Sequence, residues 1–323
     1  MEIVAADIGG THTRFAIAEV AGGRVVGMHA EMTMLASEHA SLQLAWQAYG
    51  VAQRRALPRD AAIAVACPVG GNVLKLTNNP WIIRPALIPE KLEVDRYTLC
   101  NDFVAVGHAV ATLGGAWLQH LFGPDRPLAA EGVISIVGPG TGLGVALLIG
   151  SRDGYRVVAT EGGHSDFAPL DSMEDALLRR LRARHNRVSV ERVVAGPGLA
   201  AIHATLAEIK GVSIADLSDQ ALWTSALAGD DPLAAAALDR FCLSLGAVAG
   251  DIVLTQGSFD GVVIAGGLGA RLAAHLPQSG FGQRFVAKGR FEPSMASVPV
   301  KLLTFPQPGL YGAAAAFAQE HAT

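Results

Sequence analysis

The order of apolar and polar positions divides the chain into two similar halves. Glu2 to Asp7 is a short apolar run ending in an acid. Phe15 to Glu19 and Val25 to His29 follow, each after a glycine-bearing turn, which predicts a β-meander rather than a strand-turn-helix unit. Ser37 to Tyr49 places Leu42, Leu44, Ala45, Trp46 and Tyr49 at helical positions. Ala61 to Cys67 is a continuous apolar strand stopped by Pro68, and Val73 to Thr77 predicts a further strand. Asn78-Asn79-Pro80-Trp81 is a polar loop with an aromatic anchor, open to either ligand contact or simple packing. Arg96 to Cys100 predicts a buried strand, and Val104 to Leu113 a small apolar helix.

A Gly/Pro-rich stretch from Gly114 to Pro127 marks a domain boundary, and the pattern then restarts. Val133 to Val137, Val145 to Gly150 and Tyr155 to Thr160 predict strands, with the glycine turn Gly138 to Gly144 between the first two. Helical periodicity covers Ser172 to Asn186, with Ser172 and Asp175 at capping-box spacing. Ser189 is expected to cap a helix carrying Glu191, and Pro232 to Leu254 reads as one long or bent buried helix. Gly261 to Ala265 and Leu302 to Phe305 predict strands, and Gly312 to Gln319 a terminal helix. The alternation of strands and helices is that of an α/β protein.

Composition narrows the function classes. The 323 residues are enough for about two domains at ~150 residues each. Net charge is −4, from 25 basic and 29 acidic side chains, and no basic block stands out, so nucleic acid is not an expected partner. Cys67, Cys100 and Cys242 are far apart, fit no zinc or CxxC spacing, and suit a reducing compartment. No signal-peptide pattern opens the chain, and no apolar run is expected to reach the ~18 residues that span a membrane. These features predict a cytoplasmic protein with no membrane partner.

Three sets of residues carry candidate chemistry. In the first, Asp7-Ile8-Gly9-Gly10-Thr11 brings glycines, whose bare N–H groups can approach a phosphate, beside a hydroxyl and a carboxylate able to hold magnesium through water. An ordinary hairpin turn has the same composition. Gly138, Gly140, Thr141 and Gly142 repeat the theme. Leu143 stands where a dinucleotide fingerprint needs its third glycine, and no GxxxxGK[ST] phosphate loop occurs. In the second set, Asn101-Asp102 leaves a strand and enters a helix. Asp102 is therefore either a helix cap or a carboxylate poised to accept a proton. In the third, Glu161-Gly162-Gly163-His164 can return a carboxylate and an imidazole to one side of a tight bend. That suits the hydroxyls of a polyol, a metal pair or a solvated loop.

Taken in order, Asp7 to Thr11, Asn101 to Phe103, Gly138 to Gly144 and Glu161 to His164 resemble the bacterial glucokinase family of the actin-like sugar-kinase superfamily. Asp166 to Pro169, Ser189 to Arg192, Ala195 to Gly198, Ala265 to Gly267 and Pro308 to Leu310 continue the resemblance over essentially the whole chain. Two positions depart from it. His12 stands where the family's first turn usually has Asn, and Asn79 where a His commonly precedes the loop tryptophan.

The resemblance implies two actin-like, ribonuclease-H-like domains with a ligand cleft between them. The small one comprises residues 1–112 plus 299–323, and the large one 113–298. It implies ATP-dependent phosphorylation of D-glucose to glucose 6-phosphate, the first step of glycolysis, with ATP and magnesium as cofactors and a homodimer as the assembly. Asp102 would be the base. Asn101, Asp102, Glu161, His164 and Glu191 would bind the sugar; for Glu191, otherwise an ordinary solvated helical carboxylate, the role rests on the resemblance. The nucleotide would be held by Ala6, Asp7, Ile8, Gly9, Gly10, Thr11, Gly138, Gly140, Thr141, Gly142, Gly266 and Gly267, with Asp7 in the outer shell of the metal. Rival readings are a kinase for another hexose or hexosamine, a non-catalytic sugar sensor, and an actin-like ATPase without a sugar. The chain lacks the cysteine-rich zinc cluster usual in ROK-type kinases, and it opens with a strand where such sensors generally carry a helix-turn-helix. The set Asn101, Asp102, Glu161 and His164 supplies hydroxyl-binding groups that an ATPase does not need.

Overall fold

The computed structural model describes residues 1–76 and 79–322, and the predicted strand end at Thr77 and the loop residue Asn78 lie outside them. The chain divides into two compact units, Met1–Gly114 with Phe305–Thr323, and Gly115–Thr304.

The first unit is built on a five-stranded sheet. Its strands are β1 (Glu2–Ile8), β2 (His12–Ala21), β3 (Arg24–Leu35), β4 (Asp60–Val65) and β5 (Arg96–Asn101), in the order β3-β2-β1-β4-β5. β1, β2 and β3 form the expected antiparallel meander, while β4 and β5 run parallel to β1. The central strands read as continuous apolar runs because both faces of the sheet are covered. Val4, Ala6, Ile8, Ile63 and Val65 face one core with Trp46 and Tyr49 of helix α1 (Leu42–Gln53). Ile3, Ala5, Ala62 and Ala64 face the other, against Leu310, Ala313, Ala314 and Phe317. These last four lie on the terminal helix, Pro308–Glu320. Small side chains on both surfaces let that helix lie close to the sheet. The helix α2 (Asp102–Thr112) packs beside it and follows β5 without a loop.

The second unit repeats this order and adds an edge strand. Its strands are β6 (Leu118–Phe122), β7 (Gly132–Pro139), β8 (Leu143–Ser151), β9 (Gly154–Thr160), β10 (Gly261–Ile264) and β11 (Val300–Leu303). They lie in the order β9-β8-β7-β10-β11-β6. The three-stranded meander β7–β9 corresponds to β1–β3, and β10 and β11 correspond to β4 and β5. Helices α3 (Ser172–His185), α4 (Gly198–Lys210), α5 (Asp219–Ala228), α6 (Pro232–Gln256), α7 (Gly266–Arg271) and α8 (Phe281–Val286) belong to the unit, with a further short helix at Glu292–Ala296, and α9 is the terminal helix Pro308–Glu320.

Several expectations are corrected. The last strand pairs with β10 and β6 and so belongs to the second unit, which moves the return from residue 299 to between Thr304 and Phe305. The Gly/Pro-rich boundary hides β6, an edge strand whose one buried side chain is Leu121. Gly138 pairs with Gly144 inside the β7–β8 ladder, so the turn proper is Gly140 to Gly142. Helix α3 is capped by Asp171, whose Oδ1 accepts from Glu174 N at 3.0 Å, while Glu174 Oε2 accepts from Leu170 N at 2.7 Å. The reciprocal cap is thus one residue earlier than Ser172 and Asp175. Glu191 lies on a single 3-10 turn, Val190–Arg192, with no cap bond from the Ser189 side chain. By length and composition alone α6 could cross a membrane, against the expectation from apolar run length. Yet 67% of its most apolar window is buried, and it packs against α4, α5 and α8 as a core helix.

Candidate functional site

In the first unit the register aligns the carboxyl ends of β1, β4 and β5, with Ile8 opposite Val65 and Val65 opposite Asn101. Asp7 therefore stands at the same sheet edge as Asn101 and Asp102. Arg14, opposite Asp7 in the β1–β2 hairpin, donates from Nη1 to Asp7 Oδ2 at 3.3 Å. Burial pushes the Asp7 carboxyl up, and the Arg14 charge opposes the shift. A Cβ on Gly309, in the first turn of α9, would stand 3.0 Å from Asp7 Oδ2. Glycine there lets the start of a helix, which favours an anion, approach the carboxylate.

The turn after Asp7 is held by backbone bonds. Gly9 N donates to His12 O at 3.0 Å, and Ala36 N to Thr11 O at 2.9 Å. Gly9 and Gly10 are half-buried, and Thr11 and His12 are exposed. Ala6 and Ile8 turn their side chains into the core, so they can offer a nucleotide only their backbone. Asn79, one of the two departures, donates from Nδ2 to Gly9 O at 3.2 Å and accepts from Trp81 N at 2.9 Å. It ties the loop to the glycine turn. Trp81 is buried, and its Nε1 donates to His39 O at 2.8 Å.

The N-cap of α2 is not Asp102 but its neighbour. Asn101 is the N-cap of α2: its Oδ1 accepts from Phe103 N at 2.9 Å and Val104 N at 3.4 Å, and its Nδ2 donates to Cys67 O at 3.3 Å. Asp102 is the first helical residue, and its Oδ1 accepts from Phe103 N at 2.9 Å. Burial raises the Asp102 carboxyl from 3.8 to about 6, with the Asp7 charge adding to the shift.

The second unit gathers the other candidates around the start of β8. Gly140 N donates to Gly142 O, and Gly196 N to Gly140 O, both at 2.8 Å. Leu143 N donates to Glu191 Oε2 at 2.8 Å. Thr141 at the tip is exposed. A side chain on Gly163 would overlap the Leu143 carbonyl, so the Glu161–His164 bend lies directly against the glycine turn. Glu161 and His164 are 66% and 59% exposed, with His164 Nε2 4.0 Å from Glu161 Oε2. Gly266 has φ +80° and begins α7 beside β7, where a Cβ would stand 3.0 Å from Pro139 O. Gly267 follows it in α7. A cavity of about 520 Å³ adjoins this group, lined by Thr141, Glu191, Arg192, Pro197, Ala201 and Asp219 among others.

Sequence reasoning missed Arg14, Gly309 and the Leu143 N–H as parts of these groups. Arg14 was legible, since a meander pairs it with Asp7. The other two depend on contacts between distant segments.

The model of the glucokinase family matches residues 4–320. The chain belongs to the glucokinase family. It is 60% identical over 321 residues to the glucokinase of Zymomonas mobilis, covering 99% of each chain. The crystal structure of a glucokinase from an Antarctic psychrotroph superposes with a TM-score of 0.83 at 32% identity, over 97% of this chain and 98% of that one. The glucokinase of Balamuthia mandrillaris, solved in complex with glucose, shares the fold with a TM-score of 0.78 at 18% identity, over 99% and 93%.

Proposed function

We propose that this member of the glucokinase family transfers the γ-phosphoryl group of ATP to the 6-hydroxyl of glucose, with Asp102 as the base. The observation that carries the role of Asp102 is its state. It is a carboxylate released from capping by Asn101, with a proton affinity raised to about 6, near the pH at which a base must work. The 6-oxygen forms its bond to the γ-phosphorus as the bond to the ADP oxygen breaks, and the hydroxyl proton passes to Asp102. Such transfer asks the protein mainly for positioning and charge stabilisation. Asn101, Glu161, His164 and Glu191 orient the sugar hydroxyls. The turns Gly9–Thr11 and Gly140–Gly142 receive the phosphates, beside Gly266 and Gly267. The cavity beside Thr141 has room for the nucleoside end.

Among the described residues no group of three or more His, Cys, Asp or Glu is placed to hold a metal ion. That fits magnesium, which is usually held by one or two carboxylates together with substrate phosphates. Asp7, which accepts a hydrogen bond from Arg14, would hold it through water, and the ion would neutralise phosphate charge. A homodimer and a cytoplasmic location complete the reading. Exposed Ile209 and Val212 support the dimer as part of a surface that a second copy could cover.

A coupled assay across sugars and phosphoryl donors tests the proposal. Glucose with ATP is expected to give the highest kcat/KM. Glucose binding without turnover would favour the sensor reading.

A further inference from the structure

We infer that Glu191 is a positioning residue that couples sugar recognition to the glycine turn Gly140–Gly142, an inference that rests on the functional reading above. Its carboxylate does two things at once. Oε2 accepts the Leu143 N–H at 2.8 Å, at the point where the turn becomes β8. That same oxygen stands 2.5 Å from where a Cβ on Gly142 would be, so the missing side chain is what lets the carboxylate close on the turn. The segment carrying Glu191 is fixed in turn. Val190 N donates to Ser165 O at 2.8 Å, and Asp166 and Ser189 form an isolated bridge. Ser165 N donates to Gly162 O at 3.2 Å, which joins this segment to the Glu161–His164 bend.

A carboxylate anchored in this way to the sugar-binding bend, and bonded to the phosphate turn, cannot respond to one ligand without moving the other's backbone. A sugar hydroxyl that fixes Glu191 also fixes the Leu143 N–H and the turn preceding it. The converse follows: an alteration confined to the turn reaches the sugar. A methyl group on Gly142 meets the far end of a side chain rather than backbone, so the fold accommodates it by pushing the Glu191 carboxylate off the Leu143 N–H. Gly142→Ala, nominally a change in the nucleotide site, thereby becomes a defect in sugar binding.

Calorimetry tests this without turnover. Glucose affinity is measured in the absence of nucleotide for wild type, Gly142→Ala, Glu191→Ala and the double variant. Affinity for a non-hydrolysable ATP analogue is measured for wild type, Glu191→Ala and Glu191→Gln. Glu191→Ala should weaken glucose binding ~10-fold or more, the scale of a hydrogen bond to a charged group. Gly142→Ala should weaken it comparably, and the double variant should be no worse than Glu191→Ala, the mark of two changes acting through one contact. For the ATP analogue, Glu191→Ala should lose about 5-fold. Glu191→Gln, whose amide oxygen can still accept the Leu143 N–H, should restore that loss. Wild-type glucose affinity in folded Gly142→Ala overturns the inference, as do effects that multiply in the double variant. Should Gly142→Ala not fold, the Glu191 pair decides alone, since equal analogue affinity in Glu191→Ala and wild type also overturns it. A wild-type protein that binds no glucose would remove the functional reading and this inference with it.

Discussion

Replacing Asp102 by asparagine is expected to cut turnover while leaving the protein at least as stable at neutral and alkaline pH. The cap of α2 is Asn101, so no helix N-terminus is lost. The carboxyl is raised from 3.8 to about 6, first by burial and then by the Asp7 charge. A raised value means the fold prefers the neutral acid. The stability this supplies is complete below pH ~4 and is lost as pH rises through about 6. At ~1.36 kcal/mol per pK unit, a shift of roughly two units corresponds to on the order of 3 kcal/mol at the alkaline end. Asparagine carries no such dependence, so melting temperatures of the two proteins should converge in acid and separate in favour of the variant between pH ~4 and ~7. Removing a general base costs ~10²–10⁴ in rate, whereas Asn can still hydrogen-bond the sugar. Turnover should therefore fall far more than glucose affinity. For the wild type, kcat/KM should rise with pH through about 6 as the base ionises. Near-normal turnover in a folded variant would refute the assignment of the base. A fall in melting temperature at pH 8 parallel to the fall in turnover would make Asp102 structural instead.

Asp7→Asn removes the charge that helps to raise Asp102, so the acid limb of kcat/KM in the residual activity should move below pH 6; an unmoved limb would separate the two carboxylates. Gly140→Val should lower nucleotide affinity with an unchanged melting temperature, because the nearest atom to its Cβ is Gly142 O at 3.9 Å and the proposed function puts a phosphate in the space beyond. Unchanged ATP-analogue binding by calorimetry would count against the turn. Glu161→Gln should raise the KM for glucose and leave that for ATP, since charge-assisted hydrogen bonds are roughly twice as strong as neutral ones. Its exposed position predicts no loss of stability, and normal glucose kinetics would return it to a solvated loop.

What could be read from the sequence follows the range of the interactions. The central strands were legible because residues buried on both sheet faces, such as Val4 and Ala5, leave continuous apolar runs. Edge strand β6 was not, because a strand that buries one side chain, Leu121, leaves no period to detect. The paired glycine turns were visible as composition, and the Asp7–Arg14 contact follows from a local hairpin. The contacts of Leu143 with Glu191 and of Gly309 with Asp7 join segments far apart in the chain, so no local pattern announces them.

The pair Asn101-Asp102 shows where local reasoning stops and why. Either side chain is a good helix cap, and Asn and Asp cap about equally well, so composition cannot say which is used. Position decides. The residue at the strand end, in extended conformation with φ −67° and ψ 150°, takes the cap, and its second hydrogen-bonding group binds Cys67 O. The next residue enters the helix and keeps a carboxylate that the backbone meets with the Phe103 N–H. With the cap made by a neutral amide, burial and the Asp7 charge outweigh the hydrogen bonds from the Phe103 and Asp102 N–H groups and the Asn101 side chain that favour the ionised form of Asp102. In the reverse order the charged side chain would accept the N–H bonds of the cap, which hold a carboxyl in its ionised form and lower its basicity. The order Asn before Asp thus keeps the chemistry of the site apart from the closure of its helix.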